Sequence, residues 1–510
     1  MNPDALVGQL FTVDFSGPEP SDEIERLIVD GGVGGVILFD KNVEGPGQIA
    51  RLTNALQRLA SEAGHPPLLV SVDQEGGPVV RLRGTWFPSA MAFGAAADET
   101  LAARAAEATA RELRAAGIHL NFAPVLDVNS NPANPVIGVR SYGEDPARVA
   151  RLGVAAIAGT QSAGVLATAK HFPGHGDTLL DSHLALPIVS HRRDRLDAVE
   201  LLPFREAVHA GVAAVMTAHV VYPALDPDHP ATLSARIIAL LRKEWGFGGL
   251  VVSDSMRMQA IAGRHAPGDA AVQAVRAGVD VVLALGAVEA QWEALDAVRA
   301  AARDGRIPAG RIREAAERIG AAKRRLGLFD RARVSEADAE RLAGCPSHLA
   351  LADQVAAAAA TLVVTRDGII PLPPGPVYVA AGLASRETTD RLAGALHAAG
   401  RPATTVALDG DGRWEARGSG RGAIVVPIGG AIGEDPSRRD RVRQVTQAAA
   451  RQGPTVAVAV DVPYPLTAVD PTCACLAVYG ADPASLKAAA DVLAGTVPAQ
   501  GRLPVTVRFP

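Results

Sequence analysis

The chain has 510 residues, 48% hydrophobic and 21% charged, with a formal net charge of −5. That is apolar material for more than one cored domain. No basic block stands out, which excludes nucleic acid or an anionic membrane surface as the main partner. The start, MNPDALVGQLFTVDFSG, has no cationic leader region, and no run of 18 apolar residues exists. A cytoplasmic protein without a membrane span is therefore expected. Cys345, Cys473 and Cys475 are odd in number, and Cys473-Ala-Cys475 lacks a second ligand pair. Buried thiols are the expectation, rather than disulfides or zinc.

Eight short apolar, β-rich runs occur near 10–14, 35–39, 68–72, 118–122, 165–169, 213–217, 250–253 and 279–283. Alanine-rich amphipathic stretches such as 98–117 lie between them. Strands alternating with helices give a parallel sheet. Eight such units in this length predict an α/β fold with an N-terminal TIM (β/α)8-type barrel over 1–330, with a doubly wound sheet as the alternative. Residues 287–350 read as helical. In RIREAAERIGAAKRRLG (311–327) the arginines recur at helical spacing and are expected on a solvated face. A linker is placed at 331–355. Further runs at 361–365, 377–381, 423–427, 455–460 and 475–480 predict a smaller α/β layered sandwich over 356–510. DGDGRWEARGSGRG (409–422) reads as a surface loop without a nucleotide-binding glycine pattern.

Catalytic groups of a barrel sit at the C-terminal ends of its strands. Asp40, Asp73, Asn121, Asp127, the Lys170-His171 pair, His219 and Asp254 all fall there. The densest polar stretch is KHFPGHGDTLLDSH (170–183). A metal site could draw on His171, His175 and His183 with Asp177 or Asp181, but Pro173, Gly174 and Gly176 forbid a helical histidine pair. A phosphate loop would need the lysine-serine step that is missing here. Acid–base chemistry remains. Asp181 and His183 are two apart, so on an extended loop both point the same way, and the carboxylate can orient the ring. His183 is then either a general acid or an ordinary polar loop residue. Asp254, ending the run GLVVSD, is either a structural cap or a nucleophile. Asp73, Arg81 and Arg140 are of the type that grips sugar hydroxyls, or they form structural ion pairs.

KHFPGHGDTLLDSH closely resembles the long motif of the bacterial β-N-acetylglucosaminidases of glycoside hydrolase family 3. GQLFTVDFSG, GGVILFDKNV, VDQEGGPVVRLR, NFAPVLDVNSNPANPVIGVRSYGEDP and GLVVSDSMRMQAI resemble the family's pattern in the same order. The likeness is dense over about 7–330 and looser in the C-terminal half. It implies Asp254 as the nucleophile, His183 as the acid/base with Asp181 as its dyad partner, and Asp73, Arg81, Arg140, Lys170 and His171 as sugar-binding residues. It further implies a mobile loop carrying the Asp-Ser-His segment, no cofactor and no metal. The expected reaction is a retaining double displacement on N-acetylglucosamine (GlcNAc) glycosides, either muropeptides from recycled peptidoglycan or chitooligosaccharides. A monomer or homodimer is expected, acting on a small-molecule sugar. Three alternatives stand beside this one: a phosphorylase on the same glycosides, since a neutral histidine repels phosphate less than a carboxylate does; a β-glucosidase with Glu434 as its acid/base; and an inactive sugar-binding protein.

Overall fold

The computed structural model describes residues 6–407, 422–430 and 436–509. Most of the surface loop expected over 409–422, and Glu434, lie outside the described residues. Eight parallel strands form the first sheet: β1 (Phe11–Val13), β2 (Gly35–Leu38), β3 (Leu69–Val72), β4 (Leu120–Asn121), β5 (Leu166–Phe172), β6 (Ala214–Thr217), β7 (Leu250–Ser253) and β8 (Val282–Ala284). Neighbours follow chain order, β8 pairs with β1, and a parallel bridge between Val252 and Val281 closes the ring. Every residue of these strands is buried, as a sheet lined by side chains within and helices without requires. The expected barrel is present, with β5 running three residues further than its apolar run, so that Lys170, His171 and Phe172 belong to the strand.

The helices show why alanine dominates their sequences. α1 (Glu99–Ala115) is capped by Asp98, whose carboxylate accepts from Thr100 N and Leu101 N. It packs against α2 (Pro146–Ser162) so closely that a Cβ on Gly159 would come within 2.0 Å of Ala103 O. Only small side chains allow that approach.

The arginine-bearing helix α3 (Ala309–Arg325) corrects the expectation of a purely solvated cationic face. Arg313, Arg324 and Arg325 are exposed, but Arg311 and Arg318 turn inward onto the buried carboxylate of Asp280, at 2.5 and 3.2 Å. Arg242 reaches the same carboxylate. A buried anion needs such partners, and they tie the last barrel helix to the β7–β8 junction. Lys323 of the same helix is fully buried, with Nζ donating to Gln9 Oε1 at 2.8 Å.

The second sheet has six strands: β9 (Thr361–Val364), β10 (Val377–Ala380), β11 (Ala403–Val406), β12 (Ala423–Ile428), β13 (Thr455–Ala459) and β14 (Ala474–Ala477). They lie in the order β9-β14-β13-β12-β10-β11, parallel except for β9. The second layered domain is thus present, with one strand, β11, beyond those expected. Between the two sheets, α4 (Pro346–Ala359) lies in a segment where a linker is expected. Its Leu351 and Val355 join an apolar cluster that spans both domains, from Phe87, Leu101 and Leu152 to Val456 and Leu476. Cys473 and Cys475 are buried thiols, each pushed up to about 12 by burial. No helix among the described residues is long and apolar enough to cross a membrane.

Burial pushes the Lys323 ammonium down to about 7, whereas the unfolded chain holds that proton to near 10.5. Between these values the unfolded state binds more protons, so this group makes stability rise with pH. The melting temperature of the wild type relative to Lys323→Met is predicted to increase from pH 7 to pH 10. A difference that stays flat over that range would contradict the assignment.

Candidate active site

The strand ends open into a cavity of about 780 Å³ at the C-terminal face of the barrel. Asp254, which follows β7, lies in its lining, and so do Asp73, Arg81, Arg140, Lys170, His171 and His183. The five residues read as sugar binders are therefore gathered with the two read as reacting groups. Asp181 stands behind His183. Not every polar strand end faces the cavity. Asn121 is buried and clasps both backbone groups of Gln74, at 3.0 and 2.9 Å, and His219 bonds Thr232 Oγ1 and Ser255 O.

The wall opposite Asp254 is an ion cluster. Lys170 Nζ, 2% exposed, lies 2.7 Å from Asp73 Oδ1 and 2.6 Å from Glu75 Oε1. Glu75 takes a two-pronged contact from Arg140, with Nε and Nη2 each at 2.8 Å. Burial alone would raise the Glu75 carboxyl, but Arg140 and Lys170 outweigh it and hold it well below the carboxylate range. Burial would likewise lower the Lys170 ammonium; Asp73 and Glu75 reverse that. Arg81 reaches Asp40 at 3.0 Å on the rim. Glu75 was not singled out by sequence reasoning. It lies inside VDQEGGPVVRLR, yet nothing local reveals that it bridges two cations.

Asp127, buried after β4, organises the motif that follows β5. Its Oδ1 accepts from the backbone N–H of His171 and of His175, at 3.1 and 2.6 Å, and its Oδ2 faces His171 Nδ1 at 2.7 Å. His171 is thereby fixed with its Nε2 edge free of Asp127. Gly176 lies so close to the neighbouring loop that a Cβ there would come within 1.8 Å of Val128 O. His175 is pushed down to about 4, chiefly by burial, so it is neutral near pH 7. It joins Thr178 Oγ1 to Ser182 Oγ, at 2.9 Å each, which pins the residue between Asp181 and His183. His183 Nδ1 lies 2.7 Å from Asp181 Oδ1, which also accepts from the His183 backbone N–H at 2.8 Å. The imidazole is 60% exposed, at the cavity rim.

The Asp254 carboxyl is pushed up by burial, but His171, His219, the Ser255 N–H and Lys170 outweigh this and hold it below its ordinary value. Burial drives His219 toward its neutral form, whereas Asp73 and Glu75 keep Lys170 charged. At neutral pH the cavity thus holds an ionised, partly accessible carboxylate at its base and an oriented imidazole at its rim. Arg81, Arg140 and Asp73 stand where ring hydroxyls can be gripped.

Fold and site together define a class: a barrel enzyme whose pocket holds an ionised carboxylate, an imidazole oriented by an aspartate, and charged hydrogen-bonding groups. Residues 4–322 match the glycosyl hydrolase family 3 N-terminal domain. Over 376 residues the chain is 39% identical to a β-hexosaminidase A of Pseudoalteromonas piscicida, covering 69% of this chain and 62% of that protein. This chain therefore spans less than two thirds of that relative. It is 40% identical to a β-hexosaminidase of Nitrosomonas eutropha, covering 49% of this chain and 73% of that one. The structure of a family-3 β-N-acetylglucosaminidase from a Paenibacillus species is similar over 100% of both chains, with a TM-score of 0.90 and 39% identity. The chain belongs to glycoside hydrolase family 3.

Glu75→Gln leaves Lys170 and Arg140 facing a neutral amide. Breaking a buried ion cluster costs about 3–5 kcal/mol, so unfolding in urea should show a loss of that size. Glu107→Gln, at the exposed helical pair with Arg111, should cost less than about 1 kcal/mol. Equal losses in the two variants would contradict the role given to Glu75.

Proposed function

We propose that the chain is a retaining exo-β-N-acetylglucosaminidase that releases terminal GlcNAc from muropeptides or chitooligosaccharides. The observation that carries this reading is an Asp254 carboxylate held ionised in the same cavity that His183, oriented by Asp181, borders. The names of the relatives point to the same substrate class.

In the first step Asp254 attacks the anomeric carbon, while the His183 imidazolium gives its proton to the departing oxygen. Asp181, 2.7 Å from Nδ1, fixes the ring's orientation and leaves Nε2 to donate. A covalent glycosyl-enzyme forms. In the second step neutral His183 takes a proton from water as the water attacks that carbon, and Asp254 leaves. Arg81, Arg140, Asp73, Lys170 and His171 hold the ring hydroxyls, so that the anomeric carbon stands over Asp254. In this reading the acid comes from the loop after β5, and no residue of the second domain is required for the proton transfer. The cell-wall fragments this reading favours would be met in the cytoplasm.

A second reading is a phosphorylase. The neutral imidazole of the second step and the cation of Arg257 on the cavity wall favour an anionic acceptor more than a carboxylate base would. Turnover of 4-nitrophenyl N-acetyl-β-D-glucosaminide by wild type and His183→Ala, with and without azide and phosphate, separates the readings. The hydrolase reading predicts a mutant slowed by roughly 10²–10⁴-fold, azide giving the β-glycosyl azide, and wild-type rates indifferent to phosphate. A sugar 1-phosphate product would mean a phosphorylase. An unimpaired mutant would remove the dyad from the mechanism and make Glu434 the residue to test. Binding of GlcNAc without any turnover would leave a sugar-binding protein.

A further inference from the structure

The loop that carries Asp181 and His183 is poorly anchored by apolar contact. Leu179, Leu180, Leu184 and Ile188 are 66%, 51%, 77% and 60% exposed. Hydrophobic burial therefore does not set its position. Its ties are polar: Thr178 Oγ1 to His175 at 2.9 Å and to Asn134 Nδ2 at 3.2 Å near its start, Ser182 Oγ to His175 at 2.9 Å, Ala260 N to Ser182 O at 3.2 Å, and Pro187 and Val189 to the backbone of Val221.

At the root of this loop a second aspartate–histidine pair joins its two ends. Asp177 Oδ2 lies 2.5 Å from His191 Nε2. The other oxygen of Asp177 accepts from Ser130 Oγ at 2.9 Å, and its backbone carbonyl accepts from Asn131 Nδ2 at 3.4 Å. The neighbouring Asn129 donates from Nδ2 to Tyr464 OH of the second domain at 2.8 Å. Both strands of the loop base are thus fastened to each other and to the 129–131 segment, which itself rests on the second domain.

We propose that Asp177 and His191 are positioning residues: a clasp that sets where the loop between them holds the His183 imidazole relative to Asp254. This rests on the acid/base reading of His183. A proton donor transfers only within hydrogen-bond reach of the departing oxygen, and a displacement of about 1 Å costs on the order of 10²-fold in rate. His191 touches no substrate; its effect runs through His183.

The test is the dependence of kcat/KM, which reports the glycosylation step, on the leaving group. Aryl N-acetyl-β-D-glucosaminides from 2,4-dinitrophenyl to phenyl are compared for wild type, His191→Ala, His191→Gln and His183→Ala. A dinitrophenolate departs without a proton; a phenolate needs one. His191→Ala is expected to lose roughly 10- to 100-fold on the phenyl glycoside and little on the dinitrophenyl one. His191→Gln, whose amide N–H can still reach Asp177, is expected to recover most of that loss. The ratio between substrates does not depend on how much of the variant is folded. Equal losses on every leaving group, or no loss at all, would overturn the clasp while His183→Ala kept its steep dependence. A flat dependence for His183→Ala would instead overturn the acid/base reading on which the clasp rests.

Discussion

The carboxylate of Glu75 lies buried between Arg140 and Lys170, and the cavity wall is built around it. Two cations placed together out of water would repel each other and pay the full cost of desolvation; one anion in contact with both offsets each term. Asp73 completes the set from the cavity side, 2.7 Å from the lysine. The result is a rigid wall in which Lys170 stays charged and Asp73 and Arg140 are held in fixed directions. A sugar ring needs such a wall, because its hydroxyls differ from those of its epimers only in direction.

That cluster exists because a parallel barrel brings distant strand ends together. Asp73 and Glu75 follow β3, Arg140 comes from the long segment after β4, and Lys170 closes β5. Asp127, also after β4, fixes His171 and His175 through three hydrogen bonds. The chain beyond β5 is thereby handed from a rigid strand to an exposed loop over a few residues. The described residues of the second domain take no part in lining the cavity. That domain packs on the β3 and β4 side of the barrel, where Ser89 Oγ donates to Tyr479 O and Asn129 meets Tyr464, and so steadies the segments that supply Arg140.

The barrel strands are legible in the sequence because each is buried on both faces and lies in a short, mostly apolar run. β11 is not, since Ala403-Thr404-Thr405-Val406 is a half-exposed edge strand with no run to betray it. The arginines of α3 show the same boundary. Their spacing reveals a helix, but only the fold brings Asp280 beneath Arg311 and Arg318. In the site, Asp254 and Lys170 announce themselves by standing at the ends of apolar runs, and the spacing of Asp181 and His183 suggests a pair. Glu75 and His191 act through partners remote in sequence or hidden in the fold of a loop, and no local pattern marks them; His175 stands out in the motif, but only the fold shows it as a buried bridge from Thr178 to Ser182.

The account stands or falls on Asp254 as the group that bonds to the sugar. Incubation with a 5-fluoro N-acetylglucosaminyl fluoride, which forms the covalent intermediate quickly and releases it slowly, followed by peptide mass spectrometry, tests this directly. The account predicts one added fluorosugar per chain, carried on the peptide containing Asp254 and absent in Asp254→Asn. Label on another carboxylate, or turnover with inverted product and no label at all, would contradict it.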